Sequence, residues 1–74
     1  MLIATWNVNS VRTRLSQITN WIKNVNPDIL CLQETKVLDN AFPISHFEEL
    51  GYKVIIYGQK SYNGVAIISK FNFD

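Results

Sequence analysis

Apolar positions along the chain follow two different periods. Leu2 to Val8 is an apolar and aromatic run that gives way to Asn7, Asn9 and Ser10, as a buried strand does where it meets a loop. Ser10 is placed to cap a helix. Val11, Leu15, Ile18, Ile22 and Val25 then recur at spacings of four and three, which is one face of an amphipathic helix. Asn26 and Pro27 stop it. Ile29-Leu30-Cys31-Leu32 is an unbroken apolar run, as expected for a strand covered on both faces. Strand, helix and strand in this order predict a βαβ unit with parallel strands and a right-handed crossover.

The second half continues the pattern less regularly. Lys36 to Ser45 is loop-like, with Asp39-Asn40 and Pro43. A short helix is expected from Ser45 to Leu50, ended by Gly51. Tyr52 to Tyr57 and Val65 to Ser69 read as two further strands. The stretch from Gly58 to Gly64 between them, with its Asn63-Gly64 step, marks a hairpin connection. The predicted order is strand, helix, strand, short helix, strand, strand. That is an α/β unit with at least one sheet edge awaiting a partner.

Composition narrows the class. A chain of 74 residues is at most one small domain with a modest core. The 47% hydrophobic content argues against disorder. Seven basic and six acidic residues leave a net charge of +1, so any contact with nucleic acid must come from a few placed residues, not a basic tail. The single cysteine, Cys31, excludes an intrachain disulfide and suits a reducing compartment. No apolar run approaches the roughly 20 residues of a membrane span, and no secretory signal is visible. A cytoplasmic location with no membrane partner is the expectation.

The candidate chemistry lies at strand ends. Glu34 directly follows the second apolar run, and ligands of open α/β sheets gather beyond the carboxyl ends of strands. Asn7 ends the first strand, so parallel pairing would put Asn7 and Glu34 on one rim. A carboxylate with a supporting amide suits a hard cation such as Mg²⁺. A strand-end glutamate that merely meets solvent or caps a loop is the competing reading. Arg12 and Arg14 fall in the first turn of the expected helix, where cations oppose the dipole. A nearby phosphate would compensate, and simple solvation is the alternative. Lys36, Lys60, Tyr62 and Asn63 suit contact with a phosphate backbone, or are ordinary surface and turn residues. His46 has no acid or second ligand at motif spacing and reads as surface or packing. Cys31 reads as core, and Trp6, Trp21, Phe42 and Phe47 as core or sheet-covering residues.

These segments together resemble one known family. Trp6-Asn7-Val8-Asn9 with Val11-Arg12 is similar to the opening motif of the exonuclease III and apurinic/apyrimidinic endonucleases. Pro27-Asp28-Ile29-Leu30-Cys31-Leu32-Gln33-Glu34-Thr35-Lys36 resembles their second motif almost residue for residue. Gly51-Tyr52 and Tyr62-Asn63-Gly64-Val65-Ala66-Ile67 resemble the strand and hairpin that follow. The Gln-Glu pair is common to the wider endonuclease/exonuclease/phosphatase superfamily, whereas the full Leu-Gln-Glu-Thr-Lys string, with its Pro-Asp lead-in, is much more specific to the DNA-repair branch.

The resemblance implies the N-terminal part of a four-layered α/β sandwich. It implies Mg²⁺, or Mn²⁺ in its place, with Glu34 as ligand and Asn7 supporting the metal and phosphate site. Arg12 and Tyr62 match positions near the DNA backbone. Asn9 stands where the animal-type enzymes carry aspartate, which favours the bacterial branch. The implied activity is 3′-to-5′ exonuclease action on duplex DNA and incision at abasic sites, by a protein that is monomeric when full-length. The family's later tyrosine, aspartate–asparagine pair and aspartate–histidine pair have no counterpart here, and His46 does not match the catalytic histidine. The chain is therefore expected to be an incomplete domain, inactive in isolation. Two other readings stand beside the nuclease: a superfamily phosphoesterase using the same metal chemistry, and a non-catalytic binding fragment.

Overall fold

The computed structural model describes residues 1–57 and 64–73. It contains strand β1 (Ile3–Asn7), helix α1 (Leu15–Val25), strand β2 (Ile29–Gln33), a 3₁₀ turn (Asp39–Ala41), helix α2 (Ile44–Glu48), strand β3 (Lys53–Tyr57) and strand β4 (Val65–Ser69). The four strands form one sheet in the order β1-β2-β4-β3. β1 and β2 are parallel, with Ile3 opposite Ile29 and Asn7 opposite Gln33. β4 runs antiparallel to both β2 and β3. The expected strand–helix–strand unit with parallel strands is present, and so is the antiparallel pairing of the last two strands.

The sheet buries one face. Leu30, Leu32, Ala66 and Ile68 point into a core shared with Ile18 and Ile22 of α1 and Phe47 of α2. The other face is uncovered among the described residues. Its rows run Ile3–Ile29–Ser69–Lys53, Thr5–Cys31–Ile67–Ile55 and Asn7–Gln33–Val65–Tyr57. Ile3, Ile55, Tyr57, Val65 and Ile67 are all exposed there. This corrects two expectations. β2 is covered on one face only, because both helices lie on the same side of the sheet. Cys31 sits half-buried on the open face, because the two-residue period of a strand turns it away from its buried neighbours Leu30 and Leu32.

The helix ends differ in how well local sequence specifies them. Asn26 closes α1 in the left-handed region at φ 55°, donating its N–H to the Ile22 carbonyl at 2.7 Å. Gly51 at φ 91° closes α2. Its N–H bonds Glu48 and the Tyr52 N–H bonds Phe47, the paired arrangement of a Schellman ending. The start of α1 is later than expected. Residues 11–14 form a turn, and the regular helix begins at Leu15 with Arg14 at its N-cap. Ser10 caps that turn, accepting the Thr13 N–H at 3.3 Å through its hydroxyl and the Arg14 N–H at 3.1 Å through its carbonyl. Arg12 and Arg14 thus precede the helix instead of occupying its first turn. α2 spans Ile44–Glu48, a residue ahead of the Ser45 start, and the 3₁₀ turn falls where only loop was expected.

Candidate functional site

The parallel register sets the site. Because Asn7 lies opposite Gln33, the chain leaves β1 and β2 side by side, and Glu34 is the first residue past the end of β2. Asn7 Nδ2 donates to Glu34 Oε2. Asn7 Oδ1 accepts the Asn9 N–H at 3.2 Å. The two contacts fix the orientation of the amide, since only its oxygen can face an N–H and only its nitrogen can serve a carboxylate. Lys36 Nζ donates to Asn9 Oδ1. Asn7, Asn9, Glu34 and Lys36 thus form one polar rim at the carboxyl ends of β1 and β2.

Backbone geometry makes the rim possible. Successive carbonyls of an extended strand point to opposite sides, so a parallel neighbour reaches only every second one. Here three consecutive carbonyls are bonded from the β1 side. Gln33, Glu34 and Thr35 accept the N–H groups of Val8, Ser10 and Val11 at 3.0, 2.9 and 3.0 Å. Left-handed residues turn the peptide planes to allow this: Asn9 at φ 47°, Ser10 at 89°, Glu34 at 54° and Lys36 at 58°. On the other side, Gln33 pairs with Val65, but the next bond runs from the Thr35 N–H to the Gly64 carbonyl at 3.1 Å. The register has slipped by one, as at a β-bulge, and Glu34 is the extra residue. A non-glycine residue at positive φ costs about 1–3 kcal/mol and persists only where its surroundings enforce it.

The donor set fits a hard cation. Oε1 of Glu34 makes no hydrogen bond among the described residues, leaving one carboxylate oxygen for a ligand. Mg²⁺ ordinarily takes one or two protein carboxylates and completes its shell with water and phosphate. No group of three or more His, Cys, Asp or Glu side chains capable of holding a metal occurs among the described residues. Of the four rim residues Asn7, Asn9, Glu34 and Lys36, Glu34 is the one carboxylate. Asn7 presents its nitrogen to Glu34 and orients the carboxylate.

The other candidates are placed less tightly. Arg12 is exposed on the turn that follows the rim. Lys36 reaches Asn9. Lys60 and Tyr62 lie outside the described residues. His46 is exposed on α2 beside Thr19, Lys23 and Glu49, in a cleft of about 120 Å³ away from any rim residue. Trp6 and Trp21 are half-buried and meet edge to face at 5.7 Å, and Phe42 and Phe47 are buried. Sequence reasoning missed the linking role of Asn9, whose residue type favours left-handed backbone and was the available signal. It also missed the contact between Thr35 and Gly64.

A βαβ-led sheet that carries a carboxylate and an orienting amide past adjacent parallel strand ends belongs to the α/β proteins built to receive a ligand at that rim. The model of the endonuclease/exonuclease/phosphatase family matches residues 4–74, and the chain belongs to that family. It is similar to exodeoxyribonuclease III of Haemophilus influenzae, at 43% identity over 95% of this chain and 26% of that protein. The structure of an AP endonuclease from Archaeoglobus fulgidus matches with a TM-score of 0.90 and 54% identity, over 95% of this chain and 28% of that one. The 3′ phosphatase NExo from Neisseria, solved with a product DNA hairpin, matches at 0.88 and 47%, over 92% of this chain and 26% of that one. The chain thus spans about a quarter of the length of these relatives.

Proposed function

We propose that these 74 residues are the N-terminal portion of an endonuclease/exonuclease/phosphatase domain, and that the parent protein is a Mg²⁺-dependent DNA-repair nuclease. Its reaction is hydrolysis of phosphodiester bonds, removing nucleotides 3′-to-5′ from duplex DNA and incising at abasic sites. The observation that carries this reading is the Glu34 carboxylate held by Asn7 on the β1–β2 rim. The names of the relatives support a repair nuclease over other members of the family.

Glu34 would hold Mg²⁺, or Mn²⁺ in its place. When bound, the ion supplies Lewis acidity toward a phosphoryl oxygen and stabilises the leaving oxygen. Asn7 fixes the carboxylate's orientation and so shares in the metal site. Lys36 holds Asn9 against the rim and adds positive charge beside the substrate phosphate. Arg12, Lys36, Lys60 and Tyr62 would contact the DNA backbone. Activation of the attacking water falls to residues outside these 74, so the isolated chain has no turnover. The parent acts as a cytoplasmic monomer on duplex DNA with abasic sites or 3′ ends. Among the described residues no helix is long and apolar enough to cross a membrane.

The test is cleavage of abasic duplex DNA by the intact gene product and its Glu34→Gln variant across a Mg²⁺ titration. The variant loses most Mg²⁺-dependent cleavage while its circular dichroism stays native. Unchanged cleavage would remove Glu34 from the metal site. A second reading, a phosphoesterase acting on terminal phosphates, is favoured by the likeness to a 3′ phosphatase. A duplex bearing a 3′ phosphate, assayed beside the abasic duplex and a soluble phosphomonoester, separates the two.

A further inference from the structure

Thr35 is only 1% exposed, although it stands between the two rim residues Glu34 and Lys36, both partly exposed. Its backbone is tied on both sides, by N–H to Gly64 of the β4 side and by carbonyl to Val11 of the β1 side. Its side chain is tied as well. A Cβ built on Gly64 would lie 2.3 Å from Thr35 Oγ1 and 3.6 Å from Thr35 Cβ. The hydroxyl therefore fills the space that any side chain at position 64 would need. A buried β-branched residue is stiff at χ1 and has little room to swing aside. The residues on either side, Glu34 and Lys36, are both held at positive φ.

We infer that Thr35 is a positioning residue: a wedge seated on Gly64 that holds Glu34 and Lys36 in left-handed backbone, aiming the Glu34 carboxylate at Asn7 and the Lys36 amine at Asn9. Two backbone bonds, to Val11 on the β1 side and Gly64 on the β4 side, fix where residue 35 sits, and the wedge fixes how it is turned. With the middle residue immobilised, its neighbours must fan outward onto the same rim. Gly64 is required on two counts: its bare Cα is the seat, and its φ of 118° is backbone that side-chain-bearing residues rarely adopt, so Gly64→Ala adds backbone strain to the loss of the seat. This inference rests on the reading of Glu34 as the metal ligand.

The experiment compares Thr35→Ala, Thr35→Ser and Gly64→Ala in the intact gene product, with Glu34→Gln as control. Three quantities are read: Mg²⁺ half-saturation of cleavage, the thermal midpoint, and hydrogen exchange of the Ser10 and Val11 amides. Supporting groups around a metal ligand typically alter affinity or activity by about 10–100-fold. Thr35→Ala and Gly64→Ala should raise the Mg²⁺ half-saturation by about tenfold. Exchange at Ser10 and Val11 should quicken while the β2–β4 ladder amides keep their protection. Thr35→Ser keeps the hydroxyl but loses the methyl that stiffens χ1, and should fall between wild type and Thr35→Ala. Wild-type Mg²⁺ dependence in Thr35→Ala overturns the wedge. So does a loss that tracks a lower midpoint with exchange faster everywhere, which would mark a merely structural role. If Gly64→Ala fails to fold, the contrast between Thr35→Ala and Thr35→Ser decides alone. Retained cleavage in Glu34→Gln would sink the metal reading by itself, and the exchange data, which need no activity, would still decide the wedge.

Discussion

Replacing Asn7 with aspartate separates the two things this amide does. Asn7→Asp keeps the shape and the oxygen that accepts the Asn9 N–H at 3.2 Å. It removes the Nδ2 donor that serves Glu34 and puts a second carboxylate in its place. A hydrogen bond to a charged group is worth about 1.5–3 kcal/mol, and the lower end applies at an exposed position like this one. Two unit charges about 4 Å apart in water repel by about 1 kcal/mol. Without a divalent cation, the variant should therefore be destabilised by about 2.5 kcal/mol. For a domain of this size each kcal/mol moves the melting point by about 4–8 °C. A cation should offset that loss, because two carboxylates hold it better than one. Binding at a concentration about a hundredfold above the dissociation constant returns about 2.7 kcal/mol. The assay is thermal unfolding followed by circular dichroism at neutral pH, in chelator, in millimolar Mg²⁺ and in NaCl of matched ionic strength. Two results would refute the reasoning: a variant that melts with the wild type in chelator, or one that gains no more from Mg²⁺ than from matched NaCl.

Three further outcomes are expected. Phe47 is fully buried, and Phe47→Ala should cost about 3–5 kcal/mol. That is a large share of the roughly 0.05–0.15 kcal/mol per residue that domains possess, so urea unfolding should lose its cooperative transition. The Tyr52 hydroxyl donates to the Pro27 carbonyl at 2.6 Å, and burial, with Asp28's charge adding, pushes the phenol above its ordinary pKa. The folded state then holds this proton more tightly than the unfolded one, so stability present below the ordinary tyrosine pKa of about 10 falls as pH rises through it. Tyr52→Phe should flatten that alkaline slope in denaturant titrations; an unchanged slope would contradict the assignment. Ile55 and Ile67 stand side by side on the open sheet face at 45% and 39% exposure, so the isolated chain should self-associate in sedimentation velocity. Ile55→Lys should shift it toward monomer, and a wild-type chain that stays monomeric at high concentration would argue against this.

The parallel pair and its rim were legible because periodicity reports them directly. Two apolar runs around a 3.6-period stretch give the βαβ unit, and the strand ends then bring Asn7 and Glu34 together. The start of α1 was misread for a physical reason. Val11 is apolar and in phase with the helix, but it is buried because its N–H is drawn to the Thr35 carbonyl. Cys31 looked like core because its neighbours are apolar, although alternation puts it on the other face. The left-handed backbone of Glu34 and Lys36 could not be read, since neither residue type favours it. It is enforced by Thr35 against Gly64, a contact between residues 29 positions apart.

Asn7 belongs to the same sheet face as Ile3 and Thr5, and its row continues through Gln33 to exposed Val65 and Tyr57. The polar rim and the bare apolar surface therefore share a border. Whatever comes to lie over that surface also becomes a wall of the rim and strips water from its flank. Charge interactions strengthen about fourfold when the effective dielectric constant drops from about 80 to about 20. Any grip of Glu34 on a cation would thus be a joint property of the rim and its covering layer. A substitution on the apolar face, with no polar atom near the carboxylate, can change that grip through the water it admits.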